Sequence, residues 1–537
     1  MDALSVDVLE EIDRRWNPIT EEPTSDSPQI GAPFPFQVTD EGVFYLKENG
    51  DGDGSRDPLR IAARIDVVAK TRDSSGNNWG RLLRWKDHEG HVHMWAMPME
   101  LLASDAAAIR ARLLSEGLPF IATNLRLRER LIEYLQGAHA DELIRCVDRV
   151  GWQENSYVLP DTMIGPELVG TVLYQTPHDV VHYWKMRGDA DRWREMVGRH
   201  CSGNSRLILV AAAAFAGPLL SLATQESGGI HLYGGTSTGK TTALIVGGSV
   251  CGGGGQSGFV QTWRSTGNAL EAMAEAHNDG TLFLDELVQV GPEEVVEIAY
   301  LLANGQGKAR MTRTLSSRPR ARWALLFVSS GEMTVAEHAA TGGSRPRGGA
   351  QVRILNIEAD AGSELGIFEN LHGAPSADAF ARQLREAALQ CYGSPFRAFV
   401  ERLVNHRDAV ERLVRKVREK FIRGVAPAKA GGELIRAAER FALIAAAGEL
   451  ATEWGLTGWV EGESITAAER CYLDWLRARG TSRPFDVEAA LEQVRGFIET
   501  KGVSRFPTLS GSRIDSPGER IMDRAGFRRL RDTGEME

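Results

Sequence analysis

The segment 231–242 constrains the fold of this chain more than any other stretch. Its sequence, H-L-Y-G-G-T-S-T-G-K-T-T, completes the pattern G-x-x-x-x-G-K-[ST] with Gly234, Gly239, Lys240 and Thr241. The apolar residues before the pattern predict a buried strand, and those after it predict a helix. Glycines at these positions let backbone N–H groups close around phosphate oxygens, and the helix N-terminus adds a positive field. The pattern therefore predicts a strand–loop–helix unit that binds the phosphates of a nucleotide.

The loop also predicts its cofactors. In such a loop the lysine ammonium reaches the β- and γ-phosphates, and the following hydroxyl holds Mg²⁺. We therefore expect ATP and Mg²⁺, with Lys240 also acting in catalysis and Thr241 as a metal ligand. The alternative is a glycine-rich turn that binds nothing, which the next motif argues against. The candidate nucleotide contacts are Gly234, Gly235, Thr236, Ser237, Thr238, Gly239, Lys240, Thr241 and Thr242.

A second motif, T-L-F-L-D-E at 281–286, reads as a buried strand that ends in two carboxylates. In nucleotide hydrolases the first acid holds the Mg²⁺ shell and the second activates water. We therefore assign Asp285 to the metal and Glu286 to the water; the alternative is a solvated acidic turn. A later apolar strand, 323–328, leads into S-S-G-E, and a polar residue at the end of this strand can orient the attacking water.

The segment 305–322 carries the sharpest charge anomaly of the chain. No acid occurs between Glu297 and Glu332, although the formal net charge of the chain is −10. A flexible basic segment is what contact with a nucleic-acid backbone requires. The alternative is a solvated basic hairpin. The six bases of this segment are Lys308, Arg310, Arg313, Arg318, Arg320 and Arg322.

Arginines elsewhere are candidates for contact with a γ-phosphate. The strand predicted at 323–328 is followed by Arg345, Arg347 and Arg353. One of these arginines can reach the γ-phosphate of a nucleotide bound to a neighbouring subunit. We take Arg353 as the candidate, although a structural role for it is equally well supported. Arg436 and Arg440, in a helical stretch further on, are weaker candidates, for which a surface salt bridge is favoured.

Composition limits the class of protein. Apolar content of 42% and charged content of 25% are typical of soluble globular proteins. The five cysteines are scattered without a C-x-x-C pair, which fits a reducing cytosol and predicts a cytoplasmic protein. Residues 1–28 are acidic and polar rather than signal-like. The longest apolar run, 207–223, is short for a membrane span and contains Gly-Pro, so we expect a buried helix and no membrane partner.

Pattern and length predict an α/β chain of several domains. Period-two stretches predict a mixed, β-rich N-terminal domain, and alanine-rich helical patterns later in the chain predict a lid over the nucleotide. Within the N-terminal region, 101–150 is expected to be helical. The last helices and a short strand are compatible with a winged-helix-like module. The predicted boundaries are a flexible tail at 1–30, the β-rich domain at 31–165, a helical connector at 166–225, the P-loop core at 226–360, the lid at 361–456 and the C-terminal helical module at 457–537.

These motifs together resemble a known family. The segments G-G-T-S-T-G-K-T-T, Q-T-W-R-S-T-G-N-A-L-E, L-F-L-D-E-L, L-A-N-G-Q-G-K-A-R and F-V-S-S-G-E are similar to the domain-of-unknown-function family numbered nine hundred and twenty-seven. The likeness extends over roughly 35–455. Members occur in phages and other mobile elements and are usually labelled helicase or primase–helicase. The family is similar to AAA+ helicases of the minichromosome-maintenance and superfamily 3 type.

The resemblance implies an AAA+ sheet with a helical lid, assembled as a ring, which is expected to be a hexamer. It also implies that Lys308, Arg310 and Arg313 belong to a pore hairpin that grips single-stranded DNA, and that Ser330 is a sensor of the nucleotide. Relatives often carry a primase domain ahead of this region. Here only a β-rich domain precedes it, without clustered carboxylates of a polymerase type, so priming is expected from a partner in trans.

Three hypotheses follow for the function. The first is a ring-shaped, ATP-driven DNA helicase that serves replication of a mobile element. The second is an AAA+ protein remodeller or switch that does not unwind DNA; its pore loop would be aromatic, whereas 305–322 is basic and lacks aromatic residues. The third is an inactivated nucleic-acid-binding scaffold, against which the intact Lys240, Asp285 and Glu286 argue.

Overall fold

The N-terminal part of the chain forms small sheets flanked by two helices. The computed structural model describes residues 35–48, 56–103, 106–166, 172–175, 182–253, 258–308, 310–311, 317–318, 320–343, 352–427, 430–480, 485–510, 513–514 and 524–529. The N-terminal strands are β1 (Phe36–Thr39), β2 (Gly42–Glu48), β3 (Arg56–Ala62), β4 (Ile65–Arg72), β5 (Gly80–Lys86), β6 (Val92–Pro98), β7 (Leu143–Val147), β8 (Gly151–Gln153), β9 (Ser156–Val158), β10 (Met163–Ile164) and β11 (Val172–Tyr174). The helices are α1 (Ala107–Ser115) and α2 (Leu125–Gly137), after a 3₁₀ turn at Met99–Ala103.

Strands β1 to β3 form an antiparallel meander, and a five-stranded sheet has the order β11-β7-β4-β5-β6. One face of this sheet packs against α1 and α2 through residues such as Trp85, Leu113 and Leu131. The side-chain amide of Gln175 donates to the Ala96 carbonyl and accepts from the Ala96 amide, both at 2.7 Å. Since Gln175 follows β11 and Ala96 lies on β6, the amide links the two edge strands of the sheet.

The central sheet consists of five parallel strands in the order β13-β14-β17-β12-β18. Because β17 lies between β12 and β14, the phosphate-loop strand and the acidic strand are second neighbours. Two short strands, β15 and β16, form a hairpin outside this sheet. The bounds are β12 (Gly228–Tyr233), β13 (Val260–Thr262), β14 (Gly280–Asp285), β15 (Arg310–Met311), β16 (Ser317–Arg318), β17 (Leu325–Gly331) and β18 (Ile354–Glu358).

Helices cover both faces of the central sheet, because its strands are apolar on both sides. Ile230, Leu232 and Val328 face the layer that contains α5 and α7. Leu284 and Phe327 face the layer of α8, α9 and α10. The helices up to this point are α3 (Ala190–Trp193), α4 (Arg199–Cys201), α5 (Ser205–Ala216), α6 (Leu219–Leu222), α7 (Lys240–Cys251), α8 (Gly267–Ala276), α9 (Val295–Asn304) and α10 (Val335–Thr341).

A C-terminal helical bundle packs on the α5 and α7 side of the sheet. The alanine-rich helix α14 contacts α5, α13 and α15, and α11 contacts α7. The small side chains of α5 and α14 permit close approach of the two helices. The remaining elements are α11 (Ala377–Gln390), α12 (Ser394–Asn405), α13 (Arg407–Val425), α14 (Gly432–Glu453), α15 (Glu463–Arg479), α16 (Phe485–Arg505), β19 (Thr508–Ser510), β20 (Arg513–Ile514) and β21 (Arg528–Arg529).

The structure corrects two assignments made from sequence. The stretch 141–150, expected to be helical, contains β7, which pairs in parallel with β4. The predicted helical connector 166–225 contains β11, which pairs with β7, and is helical only from α3 onward. In both places the short apolar stretches fit the period of a helix as well as that of a strand, and pairing with neighbouring strands selected the strand. The predicted tail at 1–30 lies outside the described residues.

The segment 149–152, with the sequence R-V-G-W, joins the N-terminal part to the central sheet. Asp279, directly before β14, is buried and accepts a hydrogen bond from the Trp152 backbone N–H at 3.1 Å. Gly151 has a φ of +102°, and a Cβ there would lie 2.5 Å from the Asp279 carboxylate. The Trp152 indole donates to the Pro218 carbonyl at 2.8 Å. A side chain at position 151 would separate the two parts, which explains the glycine.

Candidate functional site

The predicted phosphate loop joins a buried strand to a helix as expected. Strand β12 ends at Tyr233, the loop spans 234–239, and α7 begins at Lys240. Gly234 and Gly239 have φ values of +148° and +92°, which favour glycine. A Cβ at Gly239 would also lie 2.8 Å from the Ile367 side chain. The loop is therefore held between its own strand and the segment that follows β18.

Lys240 lies across this loop. Its Nζ donates hydrogen bonds to the carbonyls of Gly234 at 2.8 Å and Gly235 at 2.6 Å, and to the Thr238 hydroxyl at 3.2 Å. Burial lowers the pKa of Lys240, and the negative charges of Glu332 and Asp285 act in the opposite direction. The ammonium is thus held at the loop and within the electrostatic reach of two carboxylates. Thr241 follows in the first turn of α7 and is half-buried.

The structure brings Asp285 and Ser330 together from neighbouring strands. Leu284 and Ser329 are partners in the β14–β17 register, so the next residues along each strand lie side by side. The Ser330 hydroxyl donates a hydrogen bond to Asp285, and Ser330 is buried. Two of the predicted site residues therefore form one polar pair at the carboxyl edge of the sheet, next to the phosphate loop.

Glu286 lies at the same edge but has a different partner. Its backbone adopts a left-handed conformation, with φ of +62°, and its side chain is exposed. The Glu286 carboxylate accepts a hydrogen bond from the Gln289 side-chain amide. The turn at Leu287–Gln289 therefore sets the direction of this carboxylate, which the sequence motif alone did not indicate.

A buried hydrogen-bond chain beneath the site was not predicted. The Trp263 indole N–H donates to the Ser329 hydroxyl at 2.8 Å, and Ser329 lies 2.9 Å from His231 Nδ1. His231 Nε2 lies 2.9 Å from the Met333 carbonyl oxygen. His231 lies on β12, Ser329 lies on β17, and Trp263 follows β13 directly. No single motif could reveal the chain, because its members come from three separate segments.

Two further charged residues at the site were also missed. Glu332 follows Gly331, which pairs with Tyr233 at the end of β12, so this acid stands beside the start of the phosphate loop. Arg385 on α11 donates from Nη1 to the Thr242 hydroxyl at 3.3 Å. The acid directly after S-S-G was a usable signal for Glu332. Arg385 approaches the loop helix only because α11 docks on α7, so no local signal in the sequence predicts its position.

The candidate arginines lie elsewhere. Arg353 precedes β18 at the amino edge of the parallel sheet, opposite the loop, and its guanidinium stacks over Tyr300 at 4.8 Å from the ring centroid. Arg440 is buried and donates to the Val352 carbonyl at 2.7 Å, so it does not approach this chain's loop. The exposed Arg436 lies one helical turn from it. Arg345 and Arg347 lie outside the described residues.

The described residues of the basic segment include the root and two short strands of a hairpin. Gly307 N–H donates to the Ala321 carbonyl at 2.9 Å, and β15 pairs with β16 with Arg310 opposite Arg318. Lys308 Nζ forms an ion pair with Glu297 at 2.9 Å. Arg313 lies outside the described residues. The described backbone thus forms a hairpin, as the family resemblance implied, whereas its contact with nucleic acid stays a prediction.

Comparison with known families identifies the chain's class. The family model described as "Domain of unknown function (DUF927)" matches residues 36–322. This range exceeds half of the 537 residues, so the chain belongs to this family. The match includes the phosphate loop and the acidic strand and ends before β17. The predicted resemblance is therefore confirmed for this range, and Ser330 and Arg353 lie beyond it.

A solved structure described as "SCCmec type IV Cch - active helicase" is 18% identical, covers 93% of this chain and 87% of its own, and has a TM-score of 0.70. At this identity the likeness establishes a shared mixed α/β fold. "The A form apo structure of NrS-1 C terminal region-CTR" matches at 11% identity over 79% of this chain and 88% of its own. Its TM-score of 0.28 is too low to support an argument. No curated protein matches the sequence.

In the ranges that the structure describes, no helix combines the length and apolarity needed to cross a bilayer. The apolar run at 207–223 instead contains most of α5 and all of α6, and α5 is buried along its whole length against α7 and α14.

Proposed function

We propose that this chain is an ATP-dependent DNA helicase or translocase of the AAA+ class, acting in the replication of a phage or other mobile element. The proposal couples ATP hydrolysis to movement on single-stranded DNA. One observation carries it: a phosphate-loop site and a basic hairpin are joined through the same sheet and through helix α8. An enzyme that moves on a polyanion needs both sites and a mechanical connection between them.

The residues at the sheet edge fit a nucleotide with its metal. The loop glycines leave room for phosphate oxygens beside backbone N–H groups, and Lys240 holds a cation at the loop. Thr241 and Asp285 offer oxygen ligands, which Mg²⁺ prefers. Bound ATP would supply the phosphoanhydride bond, and bound Mg²⁺ would supply the positive charge that polarises it. Glu286 would accept the proton of the attacking water.

The sheet order supports the AAA+ assignment. Because β17 separates β12 from β14, Ser330 stands between the phosphate loop and the acidic pair, where a sensor hydroxyl would act. The bundle that contains α11 and α14 then corresponds to the lid. Arg385 supports that correspondence, because it links α11 to the second threonine of the loop helix.

The pore and the ring belong to the same proposal. Lys308, Arg310 and Arg313 would grip the DNA backbone as charged contacts. A homo-oligomeric ring, which we expect to be a hexamer, would bring Arg353 of one subunit towards the nucleotide of the next. Its place at the edge opposite this chain's own loop is compatible with action in trans. Priming would come from a separate partner.

The test is ATP hydrolysis with and without single-stranded DNA. We expect DNA to stimulate the wild type, and the variant Lys308→Ala/Arg310→Ala/Arg313→Ala to keep only basal turnover. Each phosphate contact that is removed should also flatten the salt dependence of DNA binding by about one unit of log–log slope.

The control is Lys416→Ala/Lys420→Ala/Arg423→Ala, which removes three exposed cations from α13, far along the chain from the hairpin. This variant should retain both stimulation and unwinding. If DNA leaves turnover unchanged in the wild type, the translocase proposal fails. The protein-remodelling alternative would then be pursued with unfolded-protein substrates.

A further inference from the structure

The motif Q-T-W-R-S-T-G-N-A-L-E, residues 261–271, is assigned no contact with nucleotide or DNA above, although its Trp263 belongs to the buried hydrogen-bond chain. It begins on β13, beside the acidic strand, and ends within α8, beside the basic hairpin. Near each end lies a buried residue: one hydrogen-bonds to the strands that carry Asp285 and Ser330, and the other to the root of the basic hairpin. This connector is therefore placed to transmit movement between the two candidate sites.

The first end is Trp263, which is completely buried. Its backbone N–H donates to the Asp285 carbonyl at 3.1 Å. Its indole N–H donates to the Ser329 hydroxyl at 2.8 Å. The next residue, Ser330, donates from its own hydroxyl to the Asp285 carboxylate. A shift of Trp263 therefore acts on the acidic strand and on the strand of Ser330 together.

His231 fixes the direction of this hydrogen-bond chain. Its Nε2 faces the Met333 carbonyl, which only accepts, so Nε2 carries the proton. Burial lowers the pKa of His231 to about 4, so the imidazole is neutral at pH 7 and Nδ1 accepts from Ser329. Ser329 thus donates to His231 and accepts from Trp263. A chain with every donor and acceptor matched resists independent movement of its members.

The middle of the connector is rigid. The Thr266 hydroxyl caps α8 by accepting from the Ala269 N–H at 3.3 Å. Leu270 and Ala274 of α8 are completely buried in the same core as Trp263. The helix is thus fixed to the indole by packing as well as by the chain.

The second end is Glu271, whose side chain is only 4% exposed. Its Oε1 accepts a hydrogen bond from the Lys308 backbone N–H at 3.1 Å. A Cβ at Gly307 would lie 2.8 Å from Glu271 Oε2, so the glycine lets the hairpin root approach the carboxylate. The Glu271 carboxylate therefore binds the backbone of the hairpin root, and this contact does not depend on which hairpin side chains contact a ligand.

We propose that the connector transmits the state of the hairpin to the hydrolytic site, with Trp263 and Glu271 as positioning residues. Displacement of the hairpin root would move Glu271 with α8, and α8 would move Trp263 against Ser329 and the Asp285 strand. This inference rests on the proposed function, because it concerns coupling between ATP hydrolysis and single-stranded DNA. It adds two residues that contact neither ligand.

The experiment measures the ratio of DNA-stimulated to basal ATP turnover, together with the affinity for a fluorescent single-stranded DNA. For Glu271→Ala we expect the ratio to fall by about fivefold or more, within the usual range of coupling between sites. Basal turnover should stay within about twofold of wild type. Glu271→Gln keeps an oxygen that accepts from Lys308 N–H, so it should restore most of the ratio.

Glu293→Ala, which truncates an exposed glutamate before α9, is the matched control and should behave as wild type. Trp263→Phe keeps an aromatic side chain but removes the indole N–H that donates to Ser329. If both ends act in series, the double variant Trp263→Phe/Glu271→Ala loses no more stimulation than the more impaired single variant.

The outcomes separate the two proposals. Absence of stimulation in wild type overturns the proposed function. Normal stimulation in wild type, with an unchanged ratio in Glu271→Ala at an unchanged thermal midpoint, overturns the connector alone. A lower ratio that Glu271→Gln fails to restore, with equally lowered DNA affinity, would mean that Glu271 serves only to fold the hairpin.

Discussion

At the scale of single residues, the proposed function assigns nucleotide binding and catalysis to different residues of the site. Lys240 belongs to the loop itself and bonds to the loop's own carbonyls. Ser330 lies on another strand and touches the acid that is expected to hold the metal. Their replacement should therefore affect different steps of ATP hydrolysis, although both residues stand at the same edge of the sheet.

Lys240→Ala should abolish ATP binding, because the loop loses its only lysine. Ser330→Ala should leave the affinity for ATP within about twofold and lower kcat by about 10²-fold, which is typical for removal of one positioned donor. Equilibrium binding of a fluorescent ATP analogue and steady-state turnover measure the two effects.

Thr262→Ala removes an exposed hydroxyl that stands opposite Asp285 in the β13–β14 register, and it is the matched control. It should hydrolyse ATP as wild type does. Equal losses of binding and turnover in Ser330→Ala would show that the hydroxyl maintains the loop rather than the reaction.

At the scale of elements, glycine and alanine set how closely the helices approach the central sheet. Helix α5 ends beside the start of β14, where a Cβ on Gly217 would lie 2.3–2.6 Å from backbone atoms of Gly280. Backbone cannot move aside as a flexible side chain can. The apolar stretch that resembles a short membrane span is thus a close-packed layer between the sheet and α14.

Gly217→Val should lower the free energy of unfolding by about 1–3 kcal/mol, because overpacking forces the helix away from the strand. Chemical denaturation of the full-length protein measures the loss. Gly432→Ala, at the start of α14, is the control: a Cβ there meets nothing within 4 Å. Similar denaturation midpoints for the two variants would contradict the close contact.

At the scale of the whole molecule, the core contains two buried histidines whose burial favours the neutral form of each imidazole. Burial lowers the pKa values of His231 and His277 to about 4. His277 donates from Nδ1 to the Met273 carbonyl at the end of α8. His231 lies on β12 and His277 directly follows the connector helix α8. Both imidazoles are therefore neutral in the folded protein at pH 7.

The free energy of unfolding should therefore fall as the pH decreases from about 6.5 to 4. In this window the unfolded chain binds protons at these histidines and the folded protein does not, so acid favours unfolding. Each residue contributes a loss on the order of 3 kcal/mol at most. Urea denaturation at pH 7.5, 6 and 5 measures the slope.

His277→Asn, which keeps a donor near the Nδ1 position, should show a shallower loss of stability with acid. His139→Ala removes an exposed histidine and should keep the wild-type slope. If all three proteins lose stability in parallel between pH 7.5 and 5, the buried histidines are not responsible for the acid sensitivity.

The sequence by itself determined the features that depend on neighbouring residues. The loop from Gly234 to Thr241 is one continuous stretch, so its glycines, lysine and hydroxyl specify the turn and the helix start without help from elsewhere. The strand that ends at Asp285 and the basic hairpin are local as well, since apolar runs and charge are visible along the chain.

Only the tertiary structure decided which distant groups meet. Ser330 reaches Asp285 because β17 is inserted between β12 and β14, and Arg385 reaches the loop helix because α11 docks there. The strand at 143–147 formed where a helix was expected, because pairing with β4 outweighed a weak local pattern. Burial and strand order bring together residues far apart in sequence, and no local period carries that information.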